Sequence, residues 1–482
     1  MAGERTDGHV RWTQPGSRGW TRAGTPEAKP LPALSQPGAL PRQTPQGRKS
    51  SQERPCSSGL AERATGPGGF VDNEPEQFRA EEMRLPLFLI VFFLIYGSVH
   101  GYALLKAKSA LGFGWGTAAA LSPVLIALTL APLIIYFLGR HGMEEAARAV
   151  SWVGYTWGGL LFFFFWMNLA VDALNLVARL GGALSGRWGS ASLVSGKAPF
   201  LALVALSVAL GAYAYFEARE IGVERVRIVT DKLPPSTSRV RIAQISDVHL
   251  GLLVRHRKAE AIASVIRRAD PDILVSTGDL VDAEINHLEG LAEIFGTIRP
   301  RLGKYAVTGN HEFYAGIDQA LSFTRRAGFS VLRGETVNLG NILRIAGVDD
   351  PAAGALDAGA GHPEKEVLGG TASPMYTILL KHRPTLSDGS RGLFDLQLSG
   401  HTHKGQIFPF RYVVGRPYPL IAGLFPLGGA YLYTSRGTGT WGPPMRFLSP
   451  PEVTVIDIER APPPNTAERD APAADPLPKS GG

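Results

Sequence analysis

One cysteine, Cys56, stands in 482 residues, which excludes an intramolecular disulfide and any cysteine-rich zinc site and leaves the redox compartment undecided. Charge is scarce as well. Only 19% of the residues are Asp, Glu, Lys or Arg, and 49 basic against 42 acidic residues leave a formal net charge of +7. The glycine-rich pieces GGTASP and GLFPLGGA lack the spacing of a phosphate-binding loop opening a helix and read as ordinary loops. No internal repeat is evident. No stripe of basic and aromatic residues marks a nucleic-acid surface, so no nucleic-acid partner is expected. The length exceeds that of one ordinary domain, and two or more units are expected.

The location of the few charges divides the chain. Residues 1–84 carry 12 Lys+Arg and 10 Asp+Glu, residues 85–216 carry 7 and 3, and residues 217–482 carry 30 and 29, so the surplus is +2, +4 and +1. The first segment is rich in Pro, Gly, Ser, Thr and Arg and shows no helical or strand period before about Glu74. It offers too little apolar surface to offset chain entropy and is expected to be a disordered or spurious tail over 1–84. Met83-Arg84 stands directly before an apolar run, which makes Met83 a candidate true start.

Between Arg84 and Lys106 lie 21 uncharged residues, LPLFLIVFFLIYGSVHGYALL. Further uncharged runs fill Lys108 to Arg140, Arg148 to Asp172 (with LLFFFFW) and Lys197 to Glu217. Each is about long enough to cross roughly 30 Å of hydrocarbon at about 1.5 Å per residue. Four transmembrane helices are therefore expected, at about 85–105, 117–138, 149–177 and 198–216, in a multi-pass cell-membrane protein partnered by the lipid bilayer. Pro123 and Pro132 in the second are compatible with a membrane helix. The first run is too long for the apolar region of a cleaved signal peptide, and no small-residue cleavage site follows it. Four spans put both flanks on one side. There Arg79, Arg84, Arg140, Arg148, Arg219, Arg225 and Arg227 stand against Lys106, Lys108, Arg179, Arg187 and Lys197 opposite, a narrow margin for a cytoplasmic C-terminal domain. Asp172, with Asn168 and Asn175, forms a polar i, i+4, i+7 group near the end of the third span, read as structural because it lies towards the interface.

From Glu217 the composition becomes that of a soluble α/β domain, expected over 217–459, with a second disordered tail over 460–482. Short β-rich runs alternate with amphipathic stretches: RIAQIS, RKAEAIASVIRRA, DILVSTG, LAEIFGTIR, KYAVTG and IDQALSFTRRAG. Such alternation builds a sheet covered by helices, with functional residues in the loops after strand C-termini. The chemistry-bearing residues fall in those loops each time. Asp247 and His249 follow RIAQIS, Asp279 follows DILVSTG, Asn310 and His311 follow KYAVTG, His382 follows TILLK, and His401 and His403 follow FDLQLSG. Carboxylate, amide oxygen and imidazole without thiolate suit borderline-hard divalent ions such as Mn, Fe or Zn. So many ligand-capable side chains are too many for one ion and appropriate for two.

Taken together, SDVHLG (246–251), GDLVD (278–282), GNHEFY (309–314), KHRP (381–384) and GHTHKGQ (400–406) closely resemble the motifs of the calcineurin-like metallophosphoesterase superfamily over roughly residues 226–459. The closing stretch SRGTGTWGPPMRFLSPPEV resembles its membrane-associated bacterial branch, related to UDP-diacylglucosamine pyrophosphohydrolases. The resemblance implies a two-sheet β-sandwich flanked by helices. It implies that Asp247, His249 and His403 hold one metal, that Asn310, His382 and His401 hold the second, and that Asp279 bridges them, with His311 as the outer acid near the leaving group. It further implies a phosphodiester, phosphomonoester or pyrophosphate hydrolase in which hydroxide held between two divalent cations attacks phosphorus in line. Glu312 departs from a common Asp, Lys404 from a common Gly, and Lys381 and Arg383 from small or neutral residues. Those cations, if they face the cleft, favour a strongly anionic substrate. Tethering to the bilayer favours a lipid or cell-envelope precursor. Two other readings are a membrane sensor or transport unit with a regulatory metal domain, and a metal-bound scaffold without turnover.

Overall fold

The computed structural model of the chain describes residues 74–185, 194–283, 288–356 and 363–462. The tail expected over 1–84 lies outside the described residues as far as 73, and so does the tail expected at the C-terminus from residue 463 on. Helix α1 (Glu74–Leu111) begins inside the expected N-terminal tail and takes in Met83. Glu74 and Glu76 favour a helix N-terminus, and the run of Gln, Arg, Ala and Glu that follows consists of good helix formers leading straight into the apolar span.

Helices α2 (Trp115–Thr129), α3 (Ala131–Arg140), α4 (Glu144–Leu184) and α5 (Lys197–Glu217) complete the membrane region. The apolar part of α1, with α4 and α5, makes three helices long and apolar enough to cross a bilayer. The expected second span, 117–138, is not one straight helix: α2 and α3 meet at a bend of 52°, and only as a broken span do they make a fourth. Pro132 stands in the first turn of α3. It has no N–H to give the carbonyl four residues back and its ring excludes that carbonyl, so the hydrogen-bond ladder breaks there. Pro123 lies within α2 without interrupting it. At roughly 60 Å, the 41 residues of α4 run well past a bilayer.

Contacts give the helix directions. Tyr96 hydroxyl approaches Gly158 and Tyr102 bonds Asp172, so α1 and α4 run the same way. Gly97 faces Thr129, Gly211 faces Leu160 and Asn175 bonds Val194, so α2 and α5 run opposite to them. The polar residues of the spans are used in pairs. Asp172 accepts from Tyr102 Oη at 2.7 Å and from Lys106, Asn175 exchanges two hydrogen bonds with Val194, and His100 accepts from Trp157 Nε1 at 2.9 Å. These bonds leave Asp172 and His100 occupied as interhelical ties. Leu94, Ile95, Leu174 and Val177 point outward, as lipid-facing side chains do.

The soluble domain is a sandwich of two six-stranded mixed sheets. One contains β1 (Gly222–Thr230), β2 (Arg239–Ile245), β3 (Ile273–Ser276), β4 (Lys304–Ala306), β5 (Ser330–Val331) and, between β1 and β2, β12 (Glu452–Arg460). The other, in the order β10-β11-β9-β8-β7-β6, contains β6 (Glu335–Leu339), β7 (Leu343–Gly347), β8 (Tyr376–Leu380), β9 (Leu396–Ser399), β10 (Gly423–Pro426) and β11 (Tyr431–Thr434). Alternation along the strands fills two layers. Val240, Ile242, Ile273 and Val275 meet Ile345, Ile378, Leu380 and Leu398 between the sheets. Ala243, Ile245 and Leu274 point the other way, onto helices α6 (His256–Ala269), α7 (Leu291–Gly296) and Ile317–Arg326 through Ile262, Ile266, Phe295 and Phe323. Strands β2, β3 and β4 are parallel in the first sheet, and β7, β8, β9 and β11 in the second, so their C-terminal ends gather at one edge of the sandwich.

The sandwich is locked to the membrane helices. Glu217, at the end of α5, accepts from the backbone N–H of Ser449 at 2.9 Å, and Arg446 N–H donates to Ala214 O at 2.9 Å. Lys258 of α6 donates to Ala218 O at 2.6 Å, which completes the α5 C-terminus with a cation. Phe163 and Ala214 pack with Ile407 and Met445 in a small core of their own.

Candidate metal centre

The chemistry-bearing residues leave the strand ends in strained loops. Asp247, His249, Asp279, His401, His403, Lys404 and Gln406 all have φ between 47° and 69°. Left-handed backbone is uncommon for residues with a Cβ and persists only where surrounding structure over-determines it, and such residues cluster at functional sites. Two glycines allow the loops to meet. A Cβ on Gly309 would overlap Asp279 Oδ1 and lie 2.7 Å from its backbone N, and one on Gly400 would overlap Asp247 Oδ2 and Ser246.

Seven of the eight expected residues fall into clusters of ligand atoms, and the eighth, Asn310, is next in the chain to His311. Asp247, His249 and His403 form one cluster of ligand atoms, Asp279, His382 and His401 another, and His249, Asp282 and His311 a third, each within 4.8 Å. Imidazole nitrogens face each other at close range: His249 Nε2 lies 3.1 Å from His403 Nε2, and His401 Nδ1 lies 3.1 Å from His382 Nε2. Nitrogens that close would also suit two imidazoles holding one divalent cation. Asp279 Oδ2 lies 3.2 Å from His382 Nε2 and 3.9 Å from His249 Nε2, between the two clusters. Asn310 Oδ1 is buried with no hydrogen-bond partner, a lone pair aimed at nothing in the protein. Nitrogen and oxygen donors, two carboxylates and an orphaned amide oxygen fit two divalent cations.

Electrostatics hold three of the four imidazoles in the two clusters neutral but not the fourth: burial opposes the charge of His382, yet Asp279 and Asp247 raise it to about 10. Burial holds His249 down to about 4 and His401 to about 3, helped by neighbouring imidazoles, and drives His403 well below its ordinary value. All three are therefore neutral with lone pairs available. Burial pushes Asp279 up, but His382 and His311 outweigh it and hold the carboxyl well below its usual range. His311 moves the other way: burial opposes its charge, yet Asp279 and Asp282 raise it to about 9.

Outer contacts orient these groups. His382 Nδ1 faces Thr277 O at 2.8 Å, which directs Nε2 into the site, and Asp247 accepts from His401 N–H at 3.0 Å. Three residues that matter here were not singled out from sequence as site residues. Asp282 Oδ1 lies 2.9 Å from His311 Nδ1; it is the last letter of GDLVD, three residues after Asp279, and that spacing was the available signal. Arg446 is fully buried, its guanidinium donating to Gly439 O and Arg436 O and lying 3.0 Å from His403 Nδ1; a charge inside the apolar run PPMRF was its signal. Tyr418 stands with its ring 5.0 Å from that of His401, and nothing in the sequence distinguishes it.

The departures from the common pattern have structural reasons. Lys381 pairs with half-buried Glu364 and donates to Thr385 O, and Arg383 forms two bonds with Asp350 at 2.7 and 2.8 Å. Their charges are neutralised within the protein, so the expected pull on a strongly anionic substrate does not rest on them. Glu312 accepts from the backbone N–H of Gly309 at 2.7 Å, Leu280 at 2.8 Å and Asp279 at 3.0 Å, tying two ligand loops together. Glu312→Ala leaves three buried donors unpaired. It is expected to lower stability by on the order of 3 kcal/mol, read as the thermal midpoint of the full chain in detergent. An unchanged midpoint would show that the loops hold without it.

The sequence profile described as calcineurin-like phosphoesterase matches residues 240–405. An Aquifex aeolicus protein named an uncharacterized metallophosphoesterase is 44% identical over 256 residues, which cover 53% of this chain and 98% of that protein. A Danio rerio transmembrane protein with a metallophosphoesterase domain is 34% identical over 318 residues, 63% of this chain and 71% of that one, a match that reaches into the helices before Glu217. A Campylobacter jejuni uncharacterized metallophosphoesterase is 30% identical over 328 residues, 65% of this chain and 84% of its own.

Proposed function

This chain belongs to the calcineurin-like metallophosphoesterases and is a metal-dependent phosphoester hydrolase, and we propose that it acts as a membrane-anchored enzyme on a phosphodiester, phosphomonoester or pyrophosphate bond of a lipid or cell-envelope precursor. The observation that carries this reading is the pair of facing imidazole nitrogens, each 3.1 Å apart, with Asp279 between the two clusters. Asp247, His249 and His403 would hold one divalent cation, Asn310, His382 and His401 the other, and Asp279 both. When bound, two such cations supply Lewis acidity to the phosphoryl group and bring a water's pKa towards neutrality.

The protein's own residues do the rest. Asp279 keeps its negative charge between the two sites, and Thr277 O and Arg446 fix the rings of His382 and His403. Asp282 holds the His311 ring at the mouth of the site with its proton in place. In the hydrolysis a water loses a proton to solvent as its oxygen forms the new P–O bond, the P–O bond to the leaving group breaks, and His311 gives that group its proton and regains one from solvent. The soluble domain and the start of α1 lie at the same end of the helix bundle, and the basic flanks favour the cytoplasmic side for that end.

The test is hydrolysis of bis(4-nitrophenyl) phosphate by the purified full chain, with and without Mn²⁺. Turnover that requires the added cation is expected. No turnover in protein shown by elemental analysis to hold both cations would replace the hydrolase with a non-catalytic metal domain.

A further inference from the structure

The segment from Lys404 to Ile421, which follows the last metal-ligating histidine, is a wall between the metal centre and the membrane helices. At one end Tyr418 packs on His401, and Thr402 Oγ1 donates to Ile421 O at 2.6 Å. At the other, the ring of Phe410 meets that of Phe162 at 6.1 Å, within the uncharged run of α4 between Arg148 and Asp172. Backbone bonds between Gln406, Phe408 and Phe447 join the wall to a second loop, whose Phe447 packs on Phe163 of α4 and Tyr213 of α5.

Its outer surface is unlike that of a soluble loop. Tyr412 is 67% exposed, Val413 51% and Phe408 36%, and Phe410 is exposed beside them. Across the mouth of the site Trp441 is 54% exposed, its ring 6.0 Å from that of His311. This apolar surface continues into exposed Tyr213 and Phe216 at the end of α5. The segment carries Lys404, Arg411 and Arg416 and no carboxylate, and among the described residues Arg411 and Arg416 make no ion pair. Aromatic side chains with cations beside them, level with the end of a spanning helix, are the composition of a membrane interface facing anionic head groups.

We propose that the wall Ile407–Ile421 lies in the surface of an anionic bilayer, and that the metal centre receives its phosphoester from a membrane lipid that slides past Phe408, Phe410 and Tyr412. The proposal rests on the hydrolase reading above and names its substrate class: a lipid whose phosphate or pyrophosphate stands at head-group level. The apolar tails stay in the bilayer, Arg411 and Arg416 attract the anionic head, and Tyr418 borders its way to His401.

The test uses the full chain in nanodiscs of mixed phosphatidylglycerol and phosphatidylcholine, on a Cys56→Ser background. Nitroxide labels are placed at Tyr412→Cys, Val413→Cys and, as a control, Asp388→Cys, whose side chain is fully in water. Labels at 412 and 413 are expected to meet oxygen in preference to a water-soluble nickel chelate, and the label at 388 the reverse. Chelate accessibility at 412 and 413 equal to that at 388 overturns the bilayer contact. In parallel, the unlabelled chain loaded with Mn²⁺ is given a diacylglycerol 4-nitrophenyl phosphodiester in nanodiscs and soluble bis(4-nitrophenyl) phosphate. A kcat/KM at least ~10-fold higher for the lipid is expected. Equal or lower values overturn the lipid route while leaving the hydrolase intact. Absence of turnover on both overturns the hydrolase reading and the substrate half of this proposal with it, and the labels still decide where the wall lies.

Discussion

Asp279→Asn is expected to lose at least about 10³-fold in kcat/KM and to copurify with fewer than two divalent cations. The change is small in shape, so the loss has to come from charge. Asp279 is buried and keeps its negative charge amid His249, His311 and His382, with one oxygen accepting from His311 N–H at 2.9 Å and the other facing the imidazole nitrogens. An amide in its place either turns its NH₂ towards the cations or offers them a single neutral oxygen. A bridging carboxylate neutralises two cations at once, and forfeiting about 4 kcal/mol of that stabilisation corresponds to about 10³ in rate. Elemental analysis against protein concentration reads the first effect and steady-state kinetics the second. A variant that holds two cations and turns over as the wild type would show that Asp279 is not a bridge.

Which parts of this site were legible in the sequence follows from how each part is encoded. The candidate ligands leave the ends of parallel strands, and a buried strand is an apolar run, so RIAQIS before Asp247 and FDLQLSG before His401 announce both the strand and the loop after it. The convergence of residues far apart in sequence is then a consequence of parallel strands ending at one edge. The two-sheet form was implied by resemblance to a family, and the pairing pattern agrees with it. What composition does not encode is the partner of a charge. Lys381 and Arg383 beside a ligand histidine read as substrate-facing cations, yet Glu364 and Asp350, distant in sequence, neutralise them. Arg446, a charge inside the apolar run PPMRF, has its partners in carbonyls that only the fold brings to it. The bend at Pro132 was not expected, because both prolines were read as compatible with one span; a membrane helix can absorb a proline, as α2 does with Pro123, and the ladder breaks at Pro132.

His311→Ala is expected to separate chemistry from metal binding. Its ring lies outside the clusters that include Asp247 and Asp279 but shares a third with His249 and Asp282, at 2.9 Å from Asp282, so the variant is expected to keep its fold and the cations of the first two clusters, with elemental analysis as the check. Protonation is the property that matters: burial opposes the imidazole's charge, while the carboxylates of Asp279 and Asp282, the latter 2.9 Å from Nδ1, favour it. A leaving alkoxide needs that proton far more than 4-nitrophenolate does, because the alkoxide is the much stronger base. The expected loss is therefore on the order of 10²- to 10⁴-fold on an alkyl phosphodiester, and less than about 10-fold on bis(4-nitrophenyl) phosphate. Asp282→Asn should show the same leaving-group dependence to a smaller degree, since it leaves the imidazole in place but removes the charge that orients and protonates it. Equal losses on both substrates would assign His311 to phosphoryl binding, and no loss on the alkyl ester would remove it from the reaction.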